Sequence, residues 1–122
     1  QGLDSTVTEF LGLPNKKVDL SDWKKIIETI KKPKGTVTVG LVGKYVQHQD
    51  AYKSVLEALH HGALANGYKL VIKKIEADKI DLTKGIESQL EDCDGYLVPG
   101  GFGERGWLGK IMTAKHCREK HI

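Results

Sequence analysis

Four glycines fall within nine residues, between an apolar run and a helical pattern. Residues 98–106 read V-P-G-G-F-G-E-R-G and follow the apolar residues 96–98. Glycine adopts positive φ readily and, having no Cβ, lets a ligand approach the backbone closely. The N–H groups of such a corner, next to the N-terminus of a helix, suit an anion or a developing oxyanion. This segment, the glycine loop, therefore predicts a strand-to-helix corner that binds a negatively charged group.

Two other interpretations of the glycine loop stay open. Residues 101–106 satisfy G-x-G-x-x-G, the dinucleotide-binding pattern. In dinucleotide-binding proteins that pattern follows the first strand of the βαβ unit, and an acidic residue stands about 20 positions later. Here it follows the third predicted strand, and the position in question lies beyond Ile122. The remaining interpretation is a glycine-rich turn that only reverses the chain.

The sequence around the glycine loop alternates strand and helix patterns. Residues 37–42 are nearly all apolar, which is typical of a strand buried on both faces of a parallel sheet. Residues 70–75 and 96–98 predict two further strands, with a loop over 78–82 and a short helix over 86–90. This order predicts an α/β fold, a doubly wound parallel sheet with flanking helices. Two long helices are expected, one with the stripe Tyr52, Val55, Leu56, Leu59 and Ala63, closed by Gly67, and a last one that buries Trp107, Ile111, Ala114 and Cys117.

Residues 1–34 differ in character from the rest of the chain, and we place a domain boundary between residues 34 and 35. Ser21 is expected to cap a short helix with apolar positions at helical spacing, ended by Pro33. Residues 16–34 contain seven lysines and three acidic residues, a net +4. We interpret this basic stretch as a solvated linker and helix face, because no aromatic residues are interleaved in the manner of a nucleic-acid site. The helix is expected to present Trp23, Ile26, Ile27 and Ile30 on one face.

Composition excludes several classes of function. A chain of 122 residues with 29% charged and 39% hydrophobic residues fits one soluble globular domain. No apolar run approaches the roughly 20 residues of a membrane helix, and no signal peptide is visible, so we expect a cytoplasmic protein. The two cysteines form no disulfide framework. The five histidines have no carboxylate at a recognisable ligand spacing, so no metal site is expected in this chain.

Lys44 is a separate candidate for ligand binding. Residues 40–45 look superficially like a P-loop, but Thr38 stands where the first glycine is needed and Tyr45 where Ser or Thr is needed. Lys44 nevertheless ends the first predicted strand, at the edge where open α/β sheets bind ligands. A solvated lysine at a strand end is the alternative.

Three blocks, in order along the chain, closely resemble the CTP synthase family. They are V-G-L-V-G-K-Y-V at 39–46, D-A-Y-K-S-V-L-E-A-L at 50–59 and the glycine loop at 98–106. Residues 1–4 also resemble the tail of the family's synthetase domain. The resemblance implies that residues 1–34 are that tail and the interdomain linker, with a short helix. It implies that residues 35–122 are the N-terminal part of a flavodoxin-like class I glutamine amidotransferase domain.

The resemblance also implies an activity. The family aminates UTP to CTP in pyrimidine nucleotide biosynthesis, with ATP, Mg²⁺, ammonia from glutamine and GTP as allosteric effector. Its members form homotetramers, and neither nucleic acid nor membrane is an expected partner. UTP, ATP and Mg²⁺ are expected to bind upstream of this chain. A stand-alone, non-catalytic nucleotide-binding or interaction module of flavodoxin-like fold is the alternative function.

Roles for individual residues follow from the same resemblance. The backbone of Gly101 is expected to bind glutamine and to form the oxyanion hole, with Gly100 setting the turn, and Phe102 is expected to contact glutamine. The GTP effector is expected near Lys44, Phe102 and Arg105, whereas Leu108 stands where the family commonly has Glu. The nucleophilic Cys and its His and Glu partners are expected outside this sequence. Neither Cys93 nor Cys117 fits that role, so the 122-residue chain is expected to be an inactive fragment.

Overall fold

The apolar run at residues 37–42 forms the central strand of a three-stranded parallel sheet. In a computed structural model that describes residues 2–14, 16–48, 50–90 and 92–122, this strand is β1, Thr36–Gly43. It pairs with β2, Lys69–Glu76, on one side and with β3, Gly95–Leu97, on the other. Gln1, the first residue of the block that resembles a synthetase tail, lies outside the described residues.

The register of the sheet brings the three strand ends to one edge. β1 and β2 pair from Thr36↔Lys69 to Gly43↔Glu76, and β1 and β3 pair from Val39↔Gly95 to Leu41↔Leu97. Because all pairs are parallel, the residues that follow each strand leave the sheet at its carboxyl edge. Lys44, the turn after β2 and the glycine loop therefore lie side by side.

Both faces of β1 are covered, as the apolar run predicts. Leu41 packs with Val46 and Tyr52 on one face, whereas Val42 packs on the other with a separate cluster. Both side chains are fully buried, which contributes about 1.5–3 kcal/mol each to folding. The second cluster contains Ile75, Ala77, Ile80 and Leu90. The predicted parallel sheet with flanking helices is confirmed.

The helix between β1 and β2 forms as predicted. This helix, α3, spans Lys53–Asn66 and ends at Gly67, whose φ is 86°. The Gly67 N–H donates to Leu64 O at 3.0 Å, which satisfies a carbonyl of the last turn. The Gly67 carbonyl in turn accepts from the Lys34 N–H at 2.8 Å. This bond ties the end of the basic stretch to the end of α3.

The N-terminal part contains two helices, and the predicted cap of the second is wrong. The first, α1, spans Leu3–Phe10 and was not predicted from the sequence. The second, α2, spans Ser21–Lys31, so Ser21 is its first helical residue rather than its cap. The Ser21 N–H donates to the Asp19 carboxylate at 2.9 Å. Asp19, two residues upstream, thus supplies the acceptor for a free N–H group at the start of the helix. The apolar residues of α2, namely Trp23, Ile26, Ile27 and Ile30, are exposed.

The last helix has the predicted position but buries a different face. This helix, α4, spans Trp107–Lys120, and Trp107 and Ile111 are 55% and 46% exposed. The face that is buried carries Gly109, Lys110 and Thr113. A Cβ on Gly109 would lie 2.0 Å from Ala77 O, so the absence of a side chain lets the helix backbone rest on the turn after β2. The predicted apolar stripe is therefore wrong for Trp107, Ile111 and Ala114, which are exposed, whereas Cys117 is half-buried.

In the described residues between β2 and β3, the helical elements are two short 3₁₀ turns. One spans Ala77–Lys79 and the other Ile86–Ser88, so the helix predicted over 86–90 is a single turn. No helix in the described part of the chain is long and apolar enough to cross a membrane.

Candidate functional site

The candidate site lies at the carboxyl edge of the sheet, where the glycine loop covers Lys44. Lys44 is only 5% exposed. Its Nζ donates to Phe102 O at 2.5 Å and to Gly103 O at 2.6 Å. The interpretation of Lys44 as a solvated strand-end lysine is therefore wrong. Its ammonium supports the loop from beneath.

Tyr52, the residue before α3, binds the backbone at Lys44. The Lys44 N–H donates to the Tyr52 hydroxyl at 3.2 Å. Gly43 makes this possible, because a Cβ at that position would lie 2.6 Å from the Tyr52 Oη. The glycine that ends β1 thus admits the phenol ring beside the strand.

A second lysine, which the sequence did not indicate, reaches the loop from α4. Lys110 is 6% exposed, and its Nζ donates to Pro99 O at 2.8 Å. Burial lowers the pKa of Lys110, and the nearby positive charge of Lys44 lowers it further. A lysine between Gly109 and Ile111 reads as a solvated helix residue, so no pattern in the sequence marks it. Only the close contact of Gly109 turns it inward.

Arg105 joins the glycine loop to the ends of β1 and β2. One guanidinium nitrogen donates to the Asp78 carboxylate at 2.8 Å, and the other donates to Lys44 O at 3.0 Å. The guanidinium also lies 5.2 Å from the centre of the Tyr45 ring, within the range of a cation–π contact. The hydrogen bond to Asp78 raises the pKa of Arg105. Asp78 was predicted only as part of a loop.

The pKa of Asp78 is lowered. Its own backbone N–H is the main cause, and the hydrogen bond from Arg105 adds to it. Asp78 is therefore a carboxylate at neutral pH, held against the side chain that the sequence predicted as an anion ligand. An anionic ligand that approaches Arg105 meets a guanidinium that already has a partner.

The outer side of the glycine loop is open. Gly100, Gly101 and Phe102 are exposed, Phe102 at 99%. The N–H groups of residues 100–103 donate to no acceptor in the described residues. Gly103 and Gly106 have φ of 75° and 71°, values that favour glycine, and Gly106 occupies the N-cap position of α4. The loop therefore offers backbone donors at the start of a helix, as its sequence predicts.

Every predicted site residue lies at this edge, and the cysteines do not. The structure brings together Lys44, Gly100, Gly101, Phe102 and Arg105. Cys93 precedes β3, on the amino side of the sheet, and Cys117 is ten residues along α4, about 15 Å from its start. Burial raises the pKa of Cys117, which makes it a poor nucleophile. No group of three or more potential metal ligands occurs among the described residues.

The G-x-G-x-x-G pattern follows β3, the third strand in chain order, rather than the first strand that dinucleotide binding requires. The fold and the site instead define a class. Residues 47–122 match the family model of class-I glutamine amidotransferases, and the chain belongs to that family.

Comparison with individual proteins narrows this class. The chain is 69% identical to the CTP synthase of Protochlamydia amoebophila over 123 residues, covering 100% of this chain and 23% of that protein. It is 50% identical to the CTP synthase of Chlamydia felis, covering 100% of this chain and 22% of that protein. The resemblance to CTP synthases is confirmed over the full length of the chain, which spans less than a quarter of these relatives.

A solved structure agrees with the fold. The glutaminase domain of Trypanosoma brucei CTPS, described with bound acivicin, superimposes with a TM-score of 0.62 at 36% identity. The match covers 71% of this chain and 34% of that one. The chain is thus a partial domain of this type.

Proposed function

We propose that this chain is part of a CTP synthase, which aminates UTP to CTP with ATP and ammonia released from glutamine. In this proposal residues 1–34 are the tail of the synthetase domain and the linker, and residues 35–122 begin the glutamine amidotransferase domain. The observation that supports it is the match of the whole chain, including the residues before the amidotransferase model begins, to CTP synthases. The protein then acts in cytoplasmic pyrimidine nucleotide biosynthesis, as a homotetramer.

The glycine loop supplies the electrostatic part of glutamine hydrolysis. A cysteine thiolate, contributed from outside this chain, attacks the carbon of the glutamine side-chain amide, and the carbonyl oxygen becomes an oxyanion. The Gly101 N–H donates to this oxygen, and Gly100 shapes the turn that exposes it. As the C–N bond breaks, a general acid from outside this chain protonates the leaving nitrogen, and water then hydrolyses the thioester to release glutamate. The ammonia passes to the synthetase domain, where ATP-activated UTP accepts it. Phe102, exposed at the tip, contacts the glutamine.

The direction of the peptide groups that flank Gly101 supports a loop whose backbone donors face outward. In a trans peptide the C=O and N–H point to opposite sides, and the described residues contain no cis peptide bond. The carbonyls of Pro99, Phe102 and Gly103 point inward to the two lysines. The N–H groups of the same peptide units, those of Gly100, Gly103 and Glu104, therefore face outward on either side of Gly101.

Effector binding is part of the same proposal. GTP contacts Phe102 and Arg105 from the open side of the loop, whereas Lys44 contributes its charge from beneath. An incoming phosphate shares or replaces the Asp78 carboxylate as the partner of Arg105, whose planar fork suits either group. In this proposal ATP and Mg²⁺ bind to the synthetase domain.

The test compares two substitutions at Gly101 in the longer protein that carries this chain. Gly101→Pro removes the N–H, so glutamine-dependent CTP synthesis should fall by about 10²–10³-fold or more, the usual effect of losing an oxyanion donor. Synthesis from added ammonia should be unchanged. Gly101→Ala keeps the N–H, and its Cβ would lie 3.4 Å from Lys110 Nζ, so this control should retain most of the glutamine reaction.

Steady-state rates with glutamine and with ammonium chloride distinguish the outcomes. Equal loss of both reactions in Gly101→Pro would contradict the role in the oxyanion hole. No glutamine hydrolysis in the unmodified protein would instead favour the non-catalytic binding module.

A further inference from the structure

Two buried ammonium groups lie beneath the glycine loop, and their hydrogen-bond acceptors among the described residues are carbonyls of this loop. Lys44 follows β1 and Lys110 belongs to α4, so separate elements deliver them. Each is at least nine-tenths buried, and together they donate to Phe102 O, Gly103 O and Pro99 O. Three of the loop's carbonyls are thus fixed from below.

This arrangement opposes the usual energetics of buried charge. Burying an ammonium without a counter-ion is costly, so buried lysines normally pair with carboxylates. Among the described residues neither Lys44 nor Lys110 forms an ion pair, whereas Arg105 pairs with Asp78. The positive charge beneath the loop is therefore not neutralised by a described carboxylate. It is available to stabilise negative charge on the outer side.

Lys110 is the lysine nearest the expected oxyanion donors. Its ammonium binds the carbonyl of the Pro99–Gly100 peptide, which orients the Gly100 N–H away from it. A Cβ on Gly101 would lie 3.4 Å from the same Nζ, so the charge is also close to Gly101. Hydrogen bonds in a chain polarise one another, and an ammonium on the C=O strengthens the N–H as a donor.

We propose that Lys110 is a positioning residue for glutamine hydrolysis, which orients and polarises the Pro99–Gly100 peptide group and so fixes the turn that presents the backbone donors to the oxyanion. The inference rests on the proposed function. Lys110 touches neither glutamine nor the nucleophile, and it acts through the backbone of the loop. Lys44 supports the adjacent Phe102–Gly103 peptide in the same way.

The experiment replaces Lys110 in the longer protein. Lys110→Met keeps the length of the side chain and removes its charge. We expect kcat for glutamine hydrolysis to fall about 10- to 100-fold, less than the loss of a direct donor, with little change in KM. Ammonia-dependent synthesis should be unchanged. Lys115→Met is the matched control, because Lys115 is an exposed lysine on the same helix and makes only a 3.9 Å ion pair with Glu119.

Binding of a γ-aldehyde analogue of glutamine provides a second readout. Its adduct with the catalytic thiol places an oxygen in the oxyanion position, so its affinity should fall together with kcat in Lys110→Met. Lys110→Arg, which keeps a positive donor, should recover part of both. If Lys110 only stabilised the fold, the affinity for the analogue and kcat for glutamine hydrolysis would not fall and recover together.

Unchanged kcat in Lys110→Met would overturn the inference, as would a rise in KM alone. If Lys110→Met also loses the ammonia reaction, Lys110→Gln is measured in its place. A selective loss of glutamine turnover then supports the inference, and an unchanged kcat overturns it. Failure of the unmodified protein to hydrolyse glutamine would count against the proposed function itself.

Discussion

Arg105 connects three segments of the molecule with a single side chain. It extends from the glycine loop to Lys44 O after β1 and to Asp78 after β2, and it lies against the Tyr45 ring. These contacts fix the loop relative to two strand ends. An effector that draws Arg105 outward would release the loop from both of them at once.

The ion pair between Asp78 and Arg105 should be lost at acid pH, when the Asp78 carboxylate is protonated. Because the pKa of Asp78 is lowered from 3.8 in the folded chain, its contribution to stability is present above pH 3.8. That contribution is lost as the pH falls through the lowered folded-state value. NMR titration of the Asp78 carboxyl carbon in the longer protein should therefore give a midpoint below 3.8.

The variant Asp78→Asn is the comparison for this titration. Between pH 5 and pH 3 its stability should change less than that of the unmodified protein, as measured by urea unfolding. An Asp78 midpoint at or above 3.8 would contradict the hydrogen bonds to its carboxylate, the one from its own backbone N–H first and the one from Arg105 second.

At the residue scale, the sequence predicts Lys44, the glycines and Arg105 but misses the second lysine and the carboxylate that surround them. Gly100, Gly101 and Arg105 follow from a glycine-rich strand end and from the family resemblance. Lys110 and Asp78 do not, because the position of Lys110 depends on which face of α4 is buried and Asp78 lies in the short turn after β2. A lysine or aspartate in an exposed pattern gives no signal of an inward-facing partner.

At the scale of elements, α4 is held by backbone rather than by apolar side chains. Gly109 rests on the carbonyl of Ala77, and the Thr113 hydroxyl donates to Gly109 O at 2.9 Å within the helix. The helical spacing of apolar side chains favours the face with Trp107 and Ile111, because that face carries more of them. The face that is buried has almost no apolar surface to count.

Two glycine-to-alanine substitutions test this contact. Gly109→Ala places a Cβ 2.0 Å from a backbone oxygen, so α4 must move, and we expect a destabilisation of about 3 kcal/mol or more. Gly62→Ala lies in the exposed interior of α3 with open space around it. There alanine should stabilise the helix by about 0.5–1 kcal/mol.

The midpoint of thermal unfolding of the longer protein measures both effects. It should fall in Gly109→Ala and rise or stay level in Gly62→Ala. Similar midpoints in the two variants would contradict the close approach of α4 to Ala77.

Element prediction succeeds where the physical signal is local. β1, β2, β3 and the end of α3 at Gly67 follow from apolar runs and a glycine stop. The cap at Ser21 is wrong because Asp19 provides a competing acceptor nearby. α1 is missed because none of its residues is buried. The spacing of its apolar residues therefore does not mark where the helix begins or ends.

At the scale of the whole molecule, much apolar surface is left uncovered. The apolar residues of α2, together with Phe102, Trp107, Leu108 and Ile111, are exposed. Among the described residues β2 and β3 each pair only with β1, so the outer edge of each presents unpaired N–H and C=O groups. These surfaces are suited to contact with further protein, in agreement with a partial domain.

The isolated 122-residue chain should therefore release no glutamate from glutamine and should be only marginally folded. Hydrolysis needs a thiolate and a general base within reach of the oxyanion donors. Cys93 and Cys117 lie away from the glycine loop. Thermal unfolding should be broad, or centred below the roughly 45–65 °C usual for mesophile domains.

A coupled assay for glutamate and a melt followed by circular dichroism check both statements. Turnover that disappears in Cys93→Ala or Cys117→Ala would identify that cysteine as a nucleophile and overturn the first. A sharp cooperative melt of a monomer above that range would overturn the second.

The contact of α4 through Gly106 and Gly109 has a consequence for how such a sequence can diverge. A Cβ on Gly106 would lie 3.1 Å from Ala77 Cβ, so both glycines meet the same turn. The position of the start of α4, and with it that of the glycine loop, is therefore set by contacts of the helix backbone. Trp107, Leu108 and Ile111 on the outer face are then free to change with the surfaces that neighbour them, while the backbone of the glycine loop stays where it is.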